Sequence, residues 1–410
     1  MDDFYHLMTS EKLCALIDQF GPVRQEAVSL KEALGRITAE EITSPHDLPE
    51  FNRATMDGYA VRARDSFGAA EAVPALFSVV GEVHMGAPAG VDVGVGEAVR
   101  IWTGGMLPHS ADAVVMVEYT QELDEKTVEI TRAVRPLENV ITRGEDIPKG
   151  GIVCLAGHRL RPQDIGLLAG LGITDIPVRR KPTVAILSTG DEVASVEACP
   201  LPGQIRDVNS QTLGAMIAQR GGLPLQLGIV GDDFAAIAAK CAEGLEIADA
   251  VLVSGGSSVG LRDYTVKVFR SFDGAVILAH GVSISPGKPT ILARVGSKSL
   301  WGLPGHVTSA MVVFELFVGR LLDRLLGIPQ DQEQRRMVNA IIDRNIPSAQ
   351  GREDYVRVRL SYTGDQIQAE PMFGKSGLLS TMVKADGLVK IDLNDEGLDA
   401  GSMVKVRLFL

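Results

Sequence analysis

Five short strings of this chain combine residue types that can hold an anion or a cation. Ser188-Thr189-Gly190-Asp191-Glu192 follows an apolar run. Two acids just past a glycine turn can hold a cation or orient a substrate hydroxyl or amine; they can equally form a solvated turn that caps a sheet. Ser254-Gly255-Gly256-Ser257-Ser258-Val259-Gly260 precedes Asp263-Tyr264-Thr265. Its glycines and serines leave backbone amides free to face a phosphate. Asp263, near the start of an expected helix, can bind Mg²⁺ or cap that helix. Gly302-Leu303-Pro304-Gly305-His306-Val307-Thr308-Ser309-Ala310 opens a long apolar run. There Thr308 or Ser309 can cap the helix or meet an anion at its positive end, and His306 reads as a hydrogen-bonded rim residue. Asp57-Gly58-Tyr59 should turn tightly, with an aromatic beside a carboxylate. Ser285-Pro286-Gly287-Lys288-Pro289-Thr290 presents one lysine on a rigid turn, either as a phosphate or oxyanion contact or as plain surface.

Familiar alternatives are missing. The chain has no G-x-x-x-x-G-K-[ST], no G-x-G-x-x-G after a strand, no G-x-S-x-G and no H-E-x-x-H.

The elements that must position these strings change character along the chain. Residues 9–36 read as helical, with Ser10 as the cap and a second short helix over 29–34 ending at Gly35. Residues 45–146 alternate short β-branched runs with Gly and Pro, as a mostly β module does. Residues 162–169 read as a helix. From Thr183 to about 326, apolar strands alternate with helices, including one continuous helix over 308–327, which implies a parallel, doubly wound sheet covered on both faces. After Pro329, short alternating runs suit a small β barrel or sandwich. The expected fold class is therefore multidomain α/β: a doubly wound α/β domain (181–328), a nested mostly-β domain (45–146), a discontinuous helical and linking domain (1–44 with 147–180) and a C-terminal β domain (329–410).

Composition narrows the function. The chain has 410 residues and a formal charge of −12. That balance argues against a nucleic-acid partner, so anions must be met by local devices such as helix N-termini and a few lysines. Four cysteines, Cys14, Cys154, Cys199 and Cys241, form no C-x-x-C pair and show no zinc-site spacing to a His, as expected of reduced cytoplasmic thiols. The acidic N-terminus has no apolar h-region, and no run approaches the ~18 apolar residues of a membrane span.

Taken together and in order, the strings resemble the molybdopterin molybdenumtransferase family, the bacterial MoeA proteins and the C-terminal domain of gephyrin. The match runs through RATMDGYAV (53–61), RIWTGG (100–105), ADAVV (111–115), GEDI (144–147), STGDE (188–192), DVNSQTL (207–213), SGGSSVGLRDYT (254–265), PGKPT (286–290) and GLPGH (302–306) with SAMVVFELF (309–317). The resemblance covers essentially the whole chain. It implies a molybdopterin-binding-like α/β domain and an elongated homodimer of four-domain subunits. The implied reaction converts adenylylated molybdopterin and molybdate into molybdenum cofactor and AMP, with Mg²⁺. The adenylyltransferase upstream and the molybdoenzymes downstream become expected partners. By matching positions, the resemblance implies a catalytic set of Asp57, Thr103, Glu192, Asp232 and Asp263. Glu192, Asp232 and Asp263 would hold the metal, and Asp57 would serve the cleft shared with the partner subunit. Ser188, Thr189, Gly190, Ser254, Gly255, Gly256, Ser257, Ser258, Lys288, Pro304, Gly305, His306 and Ser309 would bind the pterin substrate.

The chain departs from the family pattern where basic residues are usual: it has Ile141, Gly281 and Ser285 there, and His306-Val307 in place of Asn-Pro. Each lost charged hydrogen bond should weaken capture of a dianion by about 1–3 kcal/mol. Lys288, Arg143 and Arg262 are the candidates to compensate. A paralogue that inserts tungstate, or a catalytically weak cofactor-binding scaffold, are the two alternative readings these departures keep open.

Overall fold

The computed structural model describes residues 7–255, 259–329, 336–364 and 366–409. Its central unit is a six-stranded sheet in the order Leu223–Val230, Thr183–Thr189, Ala250–Ser254, Lys298–Leu303, Ile291–Val295, Ala275–His280. Along Thr183–Thr189 the side chains divide cleanly. Val184 and Ile186 enter one core with Leu213, Ile217, Trp301 and Phe314. Ala185 and Leu187 enter another with Ile237, Cys241, Val253 and Phe269. A strand buried on both faces needs apolar residues at every position, which explains the unbroken run TVAIL.

The first four strands in that order are parallel. The expectation of an all-parallel sheet needs correcting at Ile291–Val295, which runs antiparallel to both neighbours. The reason is the tight turn at Gly296, whose φ of 59° joins two adjacent strands as a hairpin. A parallel crossover would need a dozen residues or more.

The long C-terminal helix of this unit is interrupted. Val307–Val313 passes through a π turn, Phe314–Val318, into Gly319–Leu326, which stops at Gly327 in the left-handed region. The π turn carries Glu315 inward, where it accepts from Arg220 Nη2 (2.8 Å) and from Arg336 Nη2 (3.1 Å). Arg220 also reaches Asp323 at 2.9 Å. A Cβ on Gly319 would lie 2.4 Å from Arg220 Cζ, so glycine is what lets the guanidinium lie against the helix.

The helical expectation over 9–36 shortens to Ser10–Ile17, capped by Thr9 rather than Ser10. Gly21-Pro22 breaks it. Gln25–Ser29 is instead a strand paired with Asp175–Arg179, and the second helix reduces to one 3₁₀ turn, Leu30–Glu32. Leu13, Ile17 and Phe20 pack into the α/β core, and Asp18 receives Arg320 Nε at 2.9 Å.

The inserted β region has the strand order Ala113–Met116, Gly58–Val61, Glu97–Ile101, Ala75–Glu82, Thr127–Ile130, Thr120–Asp124. Its register matters for function. Gly58 stands opposite Ile101, which places Asp57 at the edge of one strand beside Thr103 at the end of the other.

The C-terminal region closes on itself. Glu353–Thr363 pairs with Gln366–Pro371 on one side and with Gly387–Ile391 on the other, completing a barrel with Met337–Ile342 and Met403–Leu408. The short strand Ile284–Ser285 of the α/β unit adds to Glu353-Asp354 of this barrel, so Lys288 is carried to the seam between the two. No helix among the described residues is long and apolar enough to cross a membrane.

Candidate functional site: two clefts that meet at His306

At the carboxyl ends of the parallel strands the turns after Thr189 and Leu303, with Ser254 and Gly255, line a cleft of about 430 Å³. Open α/β sheets bind ligands at this end. Asn209, in the first turn of the helix Val208–Gln219, ties the loops together: its Nδ2 donates to Ser254 Oγ (2.6 Å) and to the Gly305 carbonyl (2.8 Å). Asp207 caps that helix by accepting from Ser210 N–H at 3.0 Å.

Two polar atoms in this cleft's lining are buried without a partner, Ser188 Oγ and Asn209 Oδ1. Buried polar groups are normally paired, so acceptors left open at a cleft mark where a ligand's donors belong. Gly255 is irreplaceable on simple sterics. A Cβ there would lie 2.1 Å from Thr189 Oγ1 and 2.3 Å from its carbonyl oxygen. Gly255→Ala should therefore push Gly255 and the Thr189 turn apart and weaken ligand binding in this cleft by at least about tenfold, measured by titration calorimetry, since misplacing a binding loop by an ångström is costly.

Beside this cleft the charge reverses. Burial, then the charges of Asp191 and Glu192, raise the Asp232 carboxyl above the ordinary aspartate range. Its Oδ1 is buried with no partner. Asp191 Oδ1 accepts from the Asp232 N–H at 3.2 Å. Hard oxygen donors with an orphaned carboxylate oxygen fit Mg²⁺, which binds through one or two carboxylates and completes its shell with water and substrate phosphates. The three carboxylates stand wider than a closed metal cage, and among the described residues only Cys154, His158 and Asp164 have ligand atoms all within 4.8 Å of one another.

A second cleft, of about 480 Å³, lies between the α/β unit and the barrel. Ser285, Lys288, Pro304, His306 and Ser309 line it from one side, Arg352 and Ser376 from the other. His306 lines both clefts. It occupies the N-cap position of its helix without a capping side chain. The expected capping by Thr308 does not occur, because its hydroxyl donates to the Ser376 carbonyl at 2.5 Å and so fastens the helix start to the barrel.

Of the expected site residues, Ser188, Thr189, Glu192, Ser254, Gly255, Gly305 and His306 line the first cleft, and Lys288, Pro304 and Ser309 the second. Gly190, with φ of 139°, turns the backbone immediately beside the first cleft. Gly256, Ser257 and Ser258 lie outside the described residues. Asp263 falls within the helix Val259–Arg270, so it is not that helix's N-cap. Asp57 and Thr103 are brought together away from both clefts: Asp57 Oδ1 accepts from Thr103 N–H and from its hydroxyl, each at 2.7 Å. These two donors hold the Asp57 carboxyl below its usual range. Sequence reasoning passed over Asn209, Arg352 and Ser376. Asn209 was embedded in DVNSQTL, but its role as a bridge depends on contacts no spacing announces.

A mixed, mostly parallel sheet with a cleft at its strand ends, joined to an inserted β region and a closed terminal barrel, defines a multidomain α/β architecture. Residues 8–172 match the MoeA N-terminal region (domain I and II), 185–324 a probable molybdopterin binding domain, and 339–409 the MoeA C-terminal region (domain IV). A molybdopterin molybdenumtransferase of Bacillus subtilis is 32% identical over 387 residues, 93% of this chain and 89% of the relative. A putative molybdopterin biosynthesis protein of Methanocaldococcus jannaschii is 36% identical over 97% of this chain and 95% of its own. The crystal structure of a molybdopterin biosynthesis MoeA protein from a Pyrococcus species superposes with a TM-score of 0.84 at 36% identity, covering 98% of this chain and 99% of that one. The chain belongs to the MoeA family of molybdopterin molybdenumtransferases.

Proposed function

We propose that this protein is a transferase of molybdenum cofactor biosynthesis that inserts molybdate into adenylylated molybdopterin and releases AMP. The observation that carries the reading is the pair of clefts sharing His306. One offers unpaired acceptors to the donors of a pterin and glycine-rich turns to its phosphate, and the other offers Lys288 and Arg352 to a dianion.

Each group has a role its chemistry supports. Ser188 Oγ and Asn209 Oδ1 accept from the pterin. The Gly255 amide and those after Leu303 serve its phosphate. Glu192 and Asp232, joined by Asp263, hold Mg²⁺, which when bound neutralises charge on the pyrophosphate that is split. Lys288 and Arg352 draw molybdate to the seam. Asp57, kept ionised by Thr103, serves the cleft of a partner subunit, which requires a homodimer. The enzyme works in the cytoplasm by positioning and charge neutralisation rather than through a covalent intermediate. The chain divides at about residues 45, 147, 181 and 329 into four domains, with the first interrupted by the second.

Molybdate capture depends on few cations here, since Ser285 and Gly281 stand where bases are usual in the family. Lys288→Ala should raise the half-saturating molybdate concentration by about tenfold or more, the worth of one charged hydrogen bond. Ser285→Lys should lower it. If neither substitution moves that concentration, the second cleft is not the oxyanion site. The same titration run with tungstate separates the tungstate-inserting alternative, because half-saturation at a lower tungstate than molybdate concentration would select it.

A further inference from the structure

We propose that Cys154, His158 and Asp164 form a binding site for a thiophilic divalent cation of the zinc type, separate from both clefts. The sequence reading gave the cysteines no histidine partner. The fold supplies one: Cys154 Sγ, a ring nitrogen of His158 and a carboxylate oxygen of Asp164 all lie within 4.8 Å of one another.

The three are held on different local elements that fix one another. Cys154 ends the strand Ile152–Cys154, which pairs with Ile42-Thr43. His158 follows a tight turn at Gly157, where a Cβ would lie 2.4 Å from the Gly327 carbonyl oxygen. Thr38 clamps that turn from both sides, its N–H donating to the His158 carbonyl (3.0 Å) and its Oγ1 accepting from the His158 N–H (3.0 Å). Asp164, in the first turn of the helix Pro162–Gly170, is oriented by Arg161, whose Nη2 reaches Oδ1 at 3.1 Å and whose main-chain N–H reaches Oδ2 at 2.8 Å. His158 Nε2 meets Asp164 Oδ2 at 2.7 Å. Thr38 and Arg161 thus preset the ligands by outer contacts, and an entering cation would take the place of the direct His158–Asp164 hydrogen bond.

The donor types choose the ion. Thiolate, imidazole and carboxylate suit Zn²⁺ or Co²⁺ and do not suit Mg²⁺, which prefers all-oxygen shells. Three protein ligands leave a fourth position for water, and the His158 side chain, 28% exposed, supplies the opening. A nucleophilic Cys–His–Asp reading fits less well. Burial, with Asp164 adding to it, pushes the Cys154 thiol up to about 11, so at neutral pH it is a buried thiol. An entering cation would displace its proton to solvent and form the metal–sulfur bond in its place.

The test uses the full-length protein, stripped by chelator and titrated with Co²⁺ in excess Mg²⁺. One equivalent should give a thiolate-to-cobalt charge-transfer band and tetrahedral visible bands, both removed by Zn²⁺. Cys154→Ser should abolish the charge-transfer band and Cys199→Ser should leave it. His158→Ala should weaken Co²⁺ binding by roughly tenfold or more. Absence of the band in the parent protein, or its persistence in Cys154→Ser, overturns the proposal.

Discussion

Asp232→Asn is expected to make the protein more resistant to unfolding and far less active. Asp232 faces Asp191 and Glu192, and its carboxyl is raised by burial first and by those charges second. A carboxyl raised above its unfolded value subtracts stability wherever it is ionised. The deficit is complete above the folded value, and it disappears as pH falls below the unfolded one. Amide substitution removes the penalty at neutral pH. A cation held between these carboxylates removes it too. Mg²⁺ should therefore raise the unfolding temperature of the parent protein and have little effect on Asp232→Asn. AMP release should fall by a factor on the order of a hundred, because the charge that would hold the cation on the pyrophosphate is gone. Thermal unfolding with and without Mg²⁺, read beside turnover, checks both halves. Loss of activity with unchanged Mg²⁺ stabilisation would remove Asp232 from the metal site.

The second large effect is structural. Arg220 and Glu315 are both 4% exposed at their side chains, and Arg336 shares the same carboxylate. Removing one partner of a buried pair leaves the other charge uncompensated, at about 3–5 kcal/mol. Glu315→Ala leaves the buried Arg220 with Asp323 alone and deprives the part-buried Arg336 of this carboxylate, so a loss at the lower end of that range is expected by denaturant titration. Because Arg336 also donates to the Leu408 carbonyl of the barrel at 2.9 Å, the barrel should lose its seating on the α/β unit in the same transition. A loss below about 1 kcal/mol, the value typical of an exposed pair, would contradict this account.

The network also shows what the sequence could not disclose. Apolar periodicity over 308–327 correctly announces a helix, yet the π turn that rotates Glu315 inward has no local signature, because it is held by Arg220 and Arg336 from other elements. The antiparallel strand Ile291–Val295 is legible only from its short turn. The helix expected over 9–36 fails at Gly21-Pro22, a break that composition displays but periodicity overrode. By contrast, the glycines at Gly190 and Gly255 were readable, because a left-handed turn demands the one and close approach to the Thr189 backbone the other. Family resemblance named Asp57 and Thr103 as site residues without pairing them. Their pairing, set by the register of Gly58 against Ile101, appears only once the strands are paired. The Cys154–His158–Asp164 cluster was missed because its members qualify only after Thr38 and Gly157 fold the turn.

The central claim is tested most directly by AMP release from adenylylated molybdopterin by the purified protein, in Mg²⁺, as molybdate is raised. Release that depends on molybdate and saturates is the predicted result. Binding of the adenylylated pterin with no AMP released, whichever oxyanion is added, would contradict it, and would mean that the positions now held by Ile141, Gly281 and Ser285 have left a cofactor-binding protein without insertase activity.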